Sequence, residues 1–291
     1  MPKVFLVTGS SRGLGRAIAE AVLDAGHQLV ATARRPEQLS DLVDKYGDQV
    51  RAVALDVTDV QGAESAVRAA VDAFGRLDVV VNNAGYANLA SVEDITAEDF
   101  RAQVDTNLLG VVNVTKAALP VLREQGSGHV IQVSSVGGRM TSPGLSAYQA
   151  AKWAVGGFSL ALAAEVAPLG IKVTVLEPGG MATDWAGSSM AIPPISAPYQ
   201  QTVGGLRDAL SSYPPASDPA KVAQAVLHVT DLEVPPVRLL LGSDAVAGAA
   251  MVEQAQAAAD STWLELSRST DHDDWGDQHL EILQALAKPA S

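Results

Sequence analysis

Cysteine is absent from this chain of 291 residues. Disulfide bonds, thiolate metal sites and cysteine nucleophiles are therefore excluded. Histidine is scarce as well, and the five copies are scattered without the spacing of metal ligands, so we expect no metal site. One of them lies in the acidic run Asp271–Asp274, which is better interpreted as a solvated tail than as a metal site.

Basic residues are also in short supply, with 20 Lys and Arg against 33 Asp and Glu and a formal net charge of −13. Because nucleic-acid binding needs basic patches and anionic membranes repel acidic proteins, we expect neither partner. No apolar run approaches the ~20 residues that span a bilayer. The first apolar run begins almost at once, without the basic segment of a signal peptide, so we expect a cytoplasmic protein.

Short apolar runs that suit strands recur along the chain, with helical patterns between most of them. They lie near residues 4, 29, 52, 79, 130, 172 and 238. The alternation predicts an α/β fold, a doubly wound parallel sheet of about seven strands with helices on both faces. We expect one domain over residues 1–291, with a substrate lid over about 184–216 and a helical carboxyl-terminal extension over about 245–291.

A glycine-rich segment follows the first of these runs. Val4–Val7 leads into Thr8–Gly15, which has the spacing G-x-x-x-G-x-G, and a helical pattern follows. Glycines let the backbone approach a pyrophosphate closely, and the helix amino terminus presents unpaired N–H groups to it. The context predicts a nucleotide site, although the alternative is an ordinary strand-to-helix turn. The predicted contacts are Gly9, Ser11, Arg12, Gly13, Leu14 and Gly15.

The end of the second predicted strand indicates which dinucleotide binds. An NAD site places an acid here to hold the ribose 2′-hydroxyl, whereas an arginine suits a 2′-phosphate. Ala33 stands where we would look for the acid, and Arg34 and Arg35 follow it. Arg12 in the glycine-rich segment can reach the same phosphate. The pattern favours NADP(H), with NAD(H) still open and solvated loop charges as the alternative.

Tyr148 and Lys152 are four residues apart in a predicted helix that begins near Ser146, so they share one face. A cation beside a phenol lowers its pKa and suits it to acid–base chemistry on a carbonyl or alcohol. Ser135 lies at the end of a strand, where its hydroxyl can polarise a carbonyl oxygen. A lone Tyr-x-x-x-Lys is most often a surface pair, and Ser134 is a rival hydroxyl that strand alternation turns to the opposite face.

Several of these motifs together resemble the short-chain dehydrogenase/reductases, in the single-domain branch of that family. The resemblance covers roughly residues 3–245, and the carboxyl extension resembles the 17β-hydroxysteroid dehydrogenase-like subgroup. It implies a Rossmann-type fold. The motifs that carry it are Thr8–Gly15, Asn82–Gly85, Ser135, Tyr148–Lys152 and Pro178–Gly179.

The resemblance also implies roles for individual residues. Tyr148 resembles the catalytic acid/base, and Lys152 the residue that lowers its pKa and holds the nicotinamide ribose. Ser135 resembles the hydroxyl that orients the carbonyl, and Asn107 the residue that helps to hold a water in a proton relay. Further cofactor contacts implied in this way are Asp56 and Val57 at the adenine, Asn83, Ala84 and Gly85 at the ribose, and Pro178, Gly179 and Thr183 at the nicotinamide end.

The expected activity is hydride transfer between NADP(H) and a ketone or secondary alcohol. Apolar residues in the lid favour an apolar substrate, with simple packing of the lid as an equal alternative; Tyr86, Met140 and Met181 are further candidates to line the pocket. A non-catalytic NADP(H) sensor or scaffold and a 3-oxoacyl-thioester reductase are alternatives. The family also implies a homodimer or homotetramer.

Overall fold

The computed structural model of the protein describes residues 2–183, 190–212, 214–272, 275–276, 279 and 281–282. Within them the chain forms a seven-stranded parallel sheet with the strand order β3-β2-β1-β4-β5-β6-β7. The strands are β1 (Val4–Val7), β2 (Gln28–Ala33), β3 (Val50–Ala54), β4 (Val79–Asn82), β5 (Gly128–Val133), β6 (Ile171–Pro178) and β7 (Arg238–Leu241). The predicted strands are thus confirmed.

Helices connect the strands and cover both faces of the sheet. They are α1 (Gly13–Asp24), α2 (Ser40–Tyr46), α3 (Val60–Phe74), α4 (Ala97–Val104), α5 (Gly110–Gln125), α6 (Ser146–Val166), α7 (Gly205–Ser212), α8 (Pro219–Asp231), α9 (Ser243–Thr262) and α10 (Leu264–Arg268). No helix in the described ranges is long and apolar enough to cross a membrane.

Strand alternation divides the hydrophobic core into two layers. In β1, Phe5 and Val7 pack against α1, α2 and α8 on one face of the sheet. Val4 and Leu6 point to the other face and pack against α3, α5 and α6. Every residue of β1 is buried, which explains why the sequence of this strand is a continuous apolar run. Such runs are typical of a parallel sheet covered on both faces. This is the doubly wound Rossmann-type fold that the sequence predicts.

The strand order reverses direction between β1 and β4. In doubly wound sheets, ligands bind outside the carboxyl ends of the strands at such a switch point. The segments that follow β1, β4, β5 and β6 meet at this edge, so the fold itself gathers the motifs that are far apart in sequence.

Part of the predicted lid lies beside this edge. Met190 and Val203 are buried in a small cluster with Leu89 and Tyr148, and Ser196 N–H donates to Asp94. Residues 184–189 and 213 of the predicted lid lie outside the described residues.

The carboxyl-terminal extension begins with α9, whose first turns pack on the body through Ala245 and Ala249. Farther along, Trp263 is 62% exposed. The described part of the predicted extension is therefore helical as far as Arg268, and the end of α9 lies on the surface.

Candidate functional site

The glycine turn, residues Thr8–Gly15, joins β1 to α1 and closes tightly on itself. Gly9 and Gly13 have φ values of +69° and +56°, a region that favours glycine. A Cβ on Gly15 would lie under 3.0 Å from the Gly9 carbonyl, closer than real Cβ contacts. The turn therefore needs glycine at these positions, and α1 begins at Gly13 with its amino-terminal N–H groups at the edge of the sheet.

The Asn83–Gly85 segment supports the glycine turn from the neighbouring strand. Thr8 Oγ1 accepts hydrogen bonds from Asn83 N–H at 2.9 Å and Ala84 N–H at 3.0 Å. The Asn83 side chain donates to the Thr8 carbonyl at 2.9 Å. The structure thus gives Asn83 a bracing role, whereas its predicted ribose contact stays a prediction.

Tyr148 and Ser135 come together across the end of β5. Tyr148 lies in the first turn of α6, is 7% exposed, and its hydroxyl shares a hydrogen bond with the Ser135 hydroxyl. The Ser135 oxygen also accepts from Gly137 N–H at 3.0 Å. Ser134 points elsewhere and donates to the Lys152 carbonyl at 3.2 Å. This geometry favours Ser135 over Ser134, as the spacing predicts.

Burial sets the proton affinities of Tyr148 and Lys152. Desolvation raises the pKa of Tyr148 to about 12, although the hydrogen bond with Ser135 opposes the rise. Desolvation lowers the pKa of Lys152 to about 8. Lys152 Nζ donates to the Val133 carbonyl at 2.8 Å and lies 5.6 Å from the Tyr148 ring centroid.

The net shift of the Tyr148 pKa in this structure is upward, and the lowering of that pKa by Lys152 stays a prediction. Helical spacing does place the two side chains on one face. The ammonium is bound to a backbone carbonyl, and burial is the largest cause of the shift in the Tyr148 pKa.

Asn107 is fully buried in a π-helical turn, Asp105–Leu109, between α4 and α5. Its side chain donates to the Gln103 carbonyl at 2.8 Å and the Tyr86 carbonyl at 2.9 Å, and accepts from Tyr86 N–H at 3.0 Å. π-Turns occur often at functional sites. Asn107 thus binds a backbone carbonyl of α4 and both backbone groups of Tyr86.

Gly85 connects Asn107 to Lys152. A Cβ on Gly85 would lie 2.5 Å from Asn107 Oδ1 and 3.6 Å from Lys152 Nζ. Three of the predicted site residues, far apart in sequence, therefore meet in one place.

Asp56 and Val57 follow β3 farther along the same edge. Asp56 Oδ1 accepts from Thr58 N–H at 3.0 Å and the Thr58 hydroxyl at 2.8 Å, which shapes the turn into α3. Val57 is buried against Gly110, where a Cβ would lie 2.5 Å from its side chain. The predicted contact of these residues with adenine stays a prediction.

A basic cavity of about 400 Å³ opens beside the glycine turn. Its lining residues are Ser11, Arg12, Arg34, Arg35 and Gln38. The structure therefore brings Arg12 and Arg34 together, as the sequence predicts. Sequence reasoning missed Gln38, which reaches the cavity because a short 3₁₀ turn, Pro36–Leu39, follows β2. The only available signal was the Pro after Arg35, which is typical of such a turn.

The loop after β6, residues 178–183, closes the site on its other side. Ser135 Oγ donates to the Pro178 carbonyl at 3.5 Å. A Cβ on Gly13 would lie 3.6 Å from Thr183 Cβ. The predicted nicotinamide contacts therefore face both the glycine turn and the Ser135 hydroxyl.

Apolar side chains form the wall around Tyr148. The buried members of this cluster are Ala87, Leu89, Leu145, Met190 and Val203. Two of the predicted pocket residues have contacts outside this cluster, and their place in the pocket stays a prediction. Met181 packs against the core layer that contains α1, and the Met140 sulfur is 3.1 Å from the Cβ position of Gly248 in α9.

Comparison with known proteins identifies the family. The model of the short chain dehydrogenase family matches residues 3–191. An oxidoreductase of Botryotinia fuckeliana, BOA17, is 58% identical over 270 residues, which cover 92% of this chain and 98% of that protein. The uncharacterized oxidoreductase C162.03 of Schizosaccharomyces pombe is 35% identical over 290 residues, which cover 96% and 95%. A crystal structure of a short-chain dehydrogenase from Streptomyces avermitilis superposes with a TM-score of 0.88 at 40% identity, covering 94% of this chain and 99% of that one.

The chain therefore belongs to the short-chain dehydrogenase/reductase family. It is an oxidoreductase with a nucleotide-binding Rossmann fold that acts on alcohol or carbonyl groups. The predicted family is confirmed, whereas the 17β-hydroxysteroid dehydrogenase-like subgroup stays a prediction.

Proposed function

We propose that the protein transfers a hydride between NADP(H) and an apolar ketone or secondary alcohol. The observation that carries this proposal is the buried hydrogen bond between Tyr148 and Ser135, beside Lys152 and at the same sheet edge as the glycine turn. When bound, the nicotinamide supplies or accepts the hydride at its C4 position. The protein has to bind the substrate oxygen, exclude water and move one proton.

In reduction, the Tyr148 hydroxyl donates its proton to the substrate oxygen as the carbonyl carbon receives the hydride, and an alcohol leaves. Ser135 donates a hydrogen bond to the same oxygen and stabilises the developing negative charge. With a pKa of about 12, Tyr148 is protonated at neutral pH and ready to act as the acid. Oxidation runs through the same atoms in reverse, with Tyr148 taking the alcohol proton.

Lys152 and Asn107 hold this arrangement in place. Lys152 supplies a buried positive charge that favours the phenolate left on Tyr148 after proton transfer. Asn107 fixes the Tyr86 backbone and shapes the space next to Lys152 through Gly85. We propose Ser135, Tyr148, Lys152 and Asn107 as the catalytic set.

The basic cavity supports NADP(H) as the preferred cofactor. Arg12 and Arg34 can bind a 2′-phosphate in this cavity, because guanidinium groups bind phosphate through paired hydrogen bonds. Ala33 is 4% exposed and offers no carboxylate to a ribose 2′-hydroxyl. NAD(H) has no phosphate at this place, so it would lose the contacts to the arginines.

The apolar wall supports the substrate class. Leu89, Leu145 and Met190 surround Tyr148 and favour a substrate that is apolar near its carbonyl. We also propose that residues 1–291 form one catalytic domain, with residues 184–216 as its substrate lid and residues 245–291 as a carboxyl-terminal extension. We propose that the whole protein assembles as a homodimer or homotetramer.

The test is oxidation of NADPH followed with a panel of apolar ketones. Wild-type protein is expected to turn over at least one of them, and Ser135→Ala is expected to lose about 10²-fold in kcat/KM. Ser134→Ala is the matched control and should keep turnover, because the Ser134 hydroxyl faces the Lys152 carbonyl. NADPH binding without turnover of any ketone would favour a sensor, and turnover of 3-oxoacyl thioesters alone would favour the thioester reductase.

A further inference from the structure

The loop that runs from the last residue of β6, residues 178–183, contains two consecutive glycines and is held by neighbouring segments. Gly179 N–H donates to the Leu241 carbonyl at 3.0 Å, at the end of β7. Ser217 exchanges two backbone hydrogen bonds with the loop, one from Ser217 N–H to the Gly180 carbonyl at 2.9 Å and one from Ala182 N–H to the Ser217 carbonyl at 3.1 Å.

A single carboxylate completes these contacts. Gly180 N–H donates to Asp244 Oδ2 at 2.7 Å, a short distance typical of a charge-assisted hydrogen bond. Asp244 lies in the first turn of α9, where the positive end of the helix dipole favours a negative charge. The carboxyl-terminal extension therefore reaches the loop through its first turn.

The carboxylate also explains the glycine at position 179. A Cβ on Gly179 would lie under 3.0 Å from both carboxylate oxygens of Asp244. Any other residue there would push the carboxylate away from Gly180 N–H. The Pro178–Gly179 motif and Asp244 thus form one structural unit, although Asp244 lies 65 positions after Gly179 in the sequence.

This unit touches the site at two points. The Pro178 carbonyl accepts from the Ser135 hydroxyl at 3.5 Å, and Thr183 lies beside Gly13 of the glycine turn. Two consecutive glycines, Gly179 and Gly180, leave the loop free to take many backbone conformations unless something fixes it. The hydrogen bond from Gly180 to Asp244 removes part of that freedom.

We propose that Asp244 is a positioning residue that fixes the 178–183 loop in the conformation that receives the nicotinamide half of the cofactor. The inference rests on the proposed function. The start of α9 would then take part in cofactor binding, in addition to the residues of the family motifs.

The test compares a whole cofactor with its adenine half. Adenosine 2′,5′-bisphosphate carries the phosphates that the arginine cavity and glycine turn would bind but lacks the nicotinamide and its ribose. If the wild-type protein binds NADH in place of NADPH, the pair becomes NADH and ADP. Dissociation constants are measured by calorimetry, and thermal unfolding is recorded for each variant.

Asp244→Ala is expected to weaken NADPH binding about tenfold, the effect of losing one hydrogen bond to a charged group, and to change the binding of the adenine half less than about twofold. Asp244→Asn keeps an oxygen that accepts from Gly180 N–H without the charge, so a smaller loss of about threefold with the same selectivity is expected. Asp260→Ala is the control, an exposed aspartate of the same helix, and should bind both ligands as the wild type does.

Equal losses for both ligands, or no loss for either, would overturn the inference. If Asp244→Ala does not fold, Asp244→Asn decides by the same selectivity criterion. Wild-type protein that binds neither NADPH nor NADH would refute the proposed function and the inference with it, whereas unselective variants of a protein that binds its cofactor refute the inference alone.

Discussion

An alanine at position 15 tests the glycine turn, because that turn leaves no room for a methyl group. The added Cβ would lie under 3.0 Å from the carbonyl oxygen and carbonyl carbon of Gly9 and from the side-chain nitrogen of Asn83. The Gly9 contact is backbone, which cannot rotate away as a flexible side chain does. Gly15→Ala therefore requires the turn to open, with Asn83 displaced from its hydrogen bonds to Thr8 and Gly9.

The expected cost follows from overpacking. Extra methyl groups in a well-packed site cost about 1–3 kcal/mol, and a backbone neighbour argues for the upper end. The opened turn also moves the N–H groups that would hold the cofactor diphosphate. Losing one such charge-assisted contact, worth about 1.5–3 kcal/mol, weakens cofactor binding by roughly tenfold or more.

The assay combines thermal or urea unfolding with measured dissociation constants for NADPH. Gly157→Ala is the matched control, since apart from its chain neighbours and the backbone of its own helix no atom lies within 4 Å of its Cβ position in α6. That change should raise the free energy of unfolding by about 0.5–1 kcal/mol, the usual gain for alanine in a helix, and leave cofactor binding unchanged. Wild-type stability and NADPH affinity in Gly15→Ala would refute the close approach described for the turn.

Three further changes test the cofactor cavity, a buried ion pair and a buried histidine. Arg34→Ala should weaken NADPH by about 1.5–3 kcal/mol and leave NADH nearly unchanged in parallel titrations; equal effects on both would defeat the phosphate assignment. Glu177 is fully buried and pairs with Arg139, so Glu177→Gln should lower the free energy of unfolding in urea by about 3 kcal/mol. The same change at the half-exposed Glu20, which pairs with Arg16, should cost at most about 1 kcal/mol. Burial lowers the pKa of His129 to about 4. Between pH 6.5 and 4 the unfolded chain therefore binds more protons at this residue than the folded protein does. The free energy of unfolding falls by up to about 3 kcal/mol as the pH drops through that window. His129→Gln should remove that part of the slope in urea titrations at pH 7 and pH 4.5, and an unchanged slope would contradict the burial argument.

The sequence predicts the strands well because each is a short apolar run in a sheet covered on both faces. It also predicts which motifs meet, since the carboxyl ends of parallel strands share one edge. Ser135 can be separated from Ser134 because strand alternation turns neighbouring side chains to opposite faces.

Other features depend on geometry that no local pattern contains. Gln38 reaches the basic cavity through a 3₁₀ turn, and Asp244 reaches Gly180 from a helix far along the chain. The π-helical turn around Asn107 has no distinct residue signature. The upward shift of the Tyr148 pKa could not be predicted, because helical spacing reveals the neighbouring charge but not the depth of burial.

Turnover by Tyr148→Phe tests the central claim most directly. Removing the hydroxyl should lower kcat by about 10²–10⁴-fold, the usual contribution of a general acid, while NADPH binds as tightly as to the wild type. Tyr46→Phe is the matched control, because its hydroxyl bonds with Asp24 and Lys45 on the surface, and it should keep full activity. A Tyr148→Phe protein that is folded, binds NADPH and reduces its ketone at close to the wild-type rate would contradict the account.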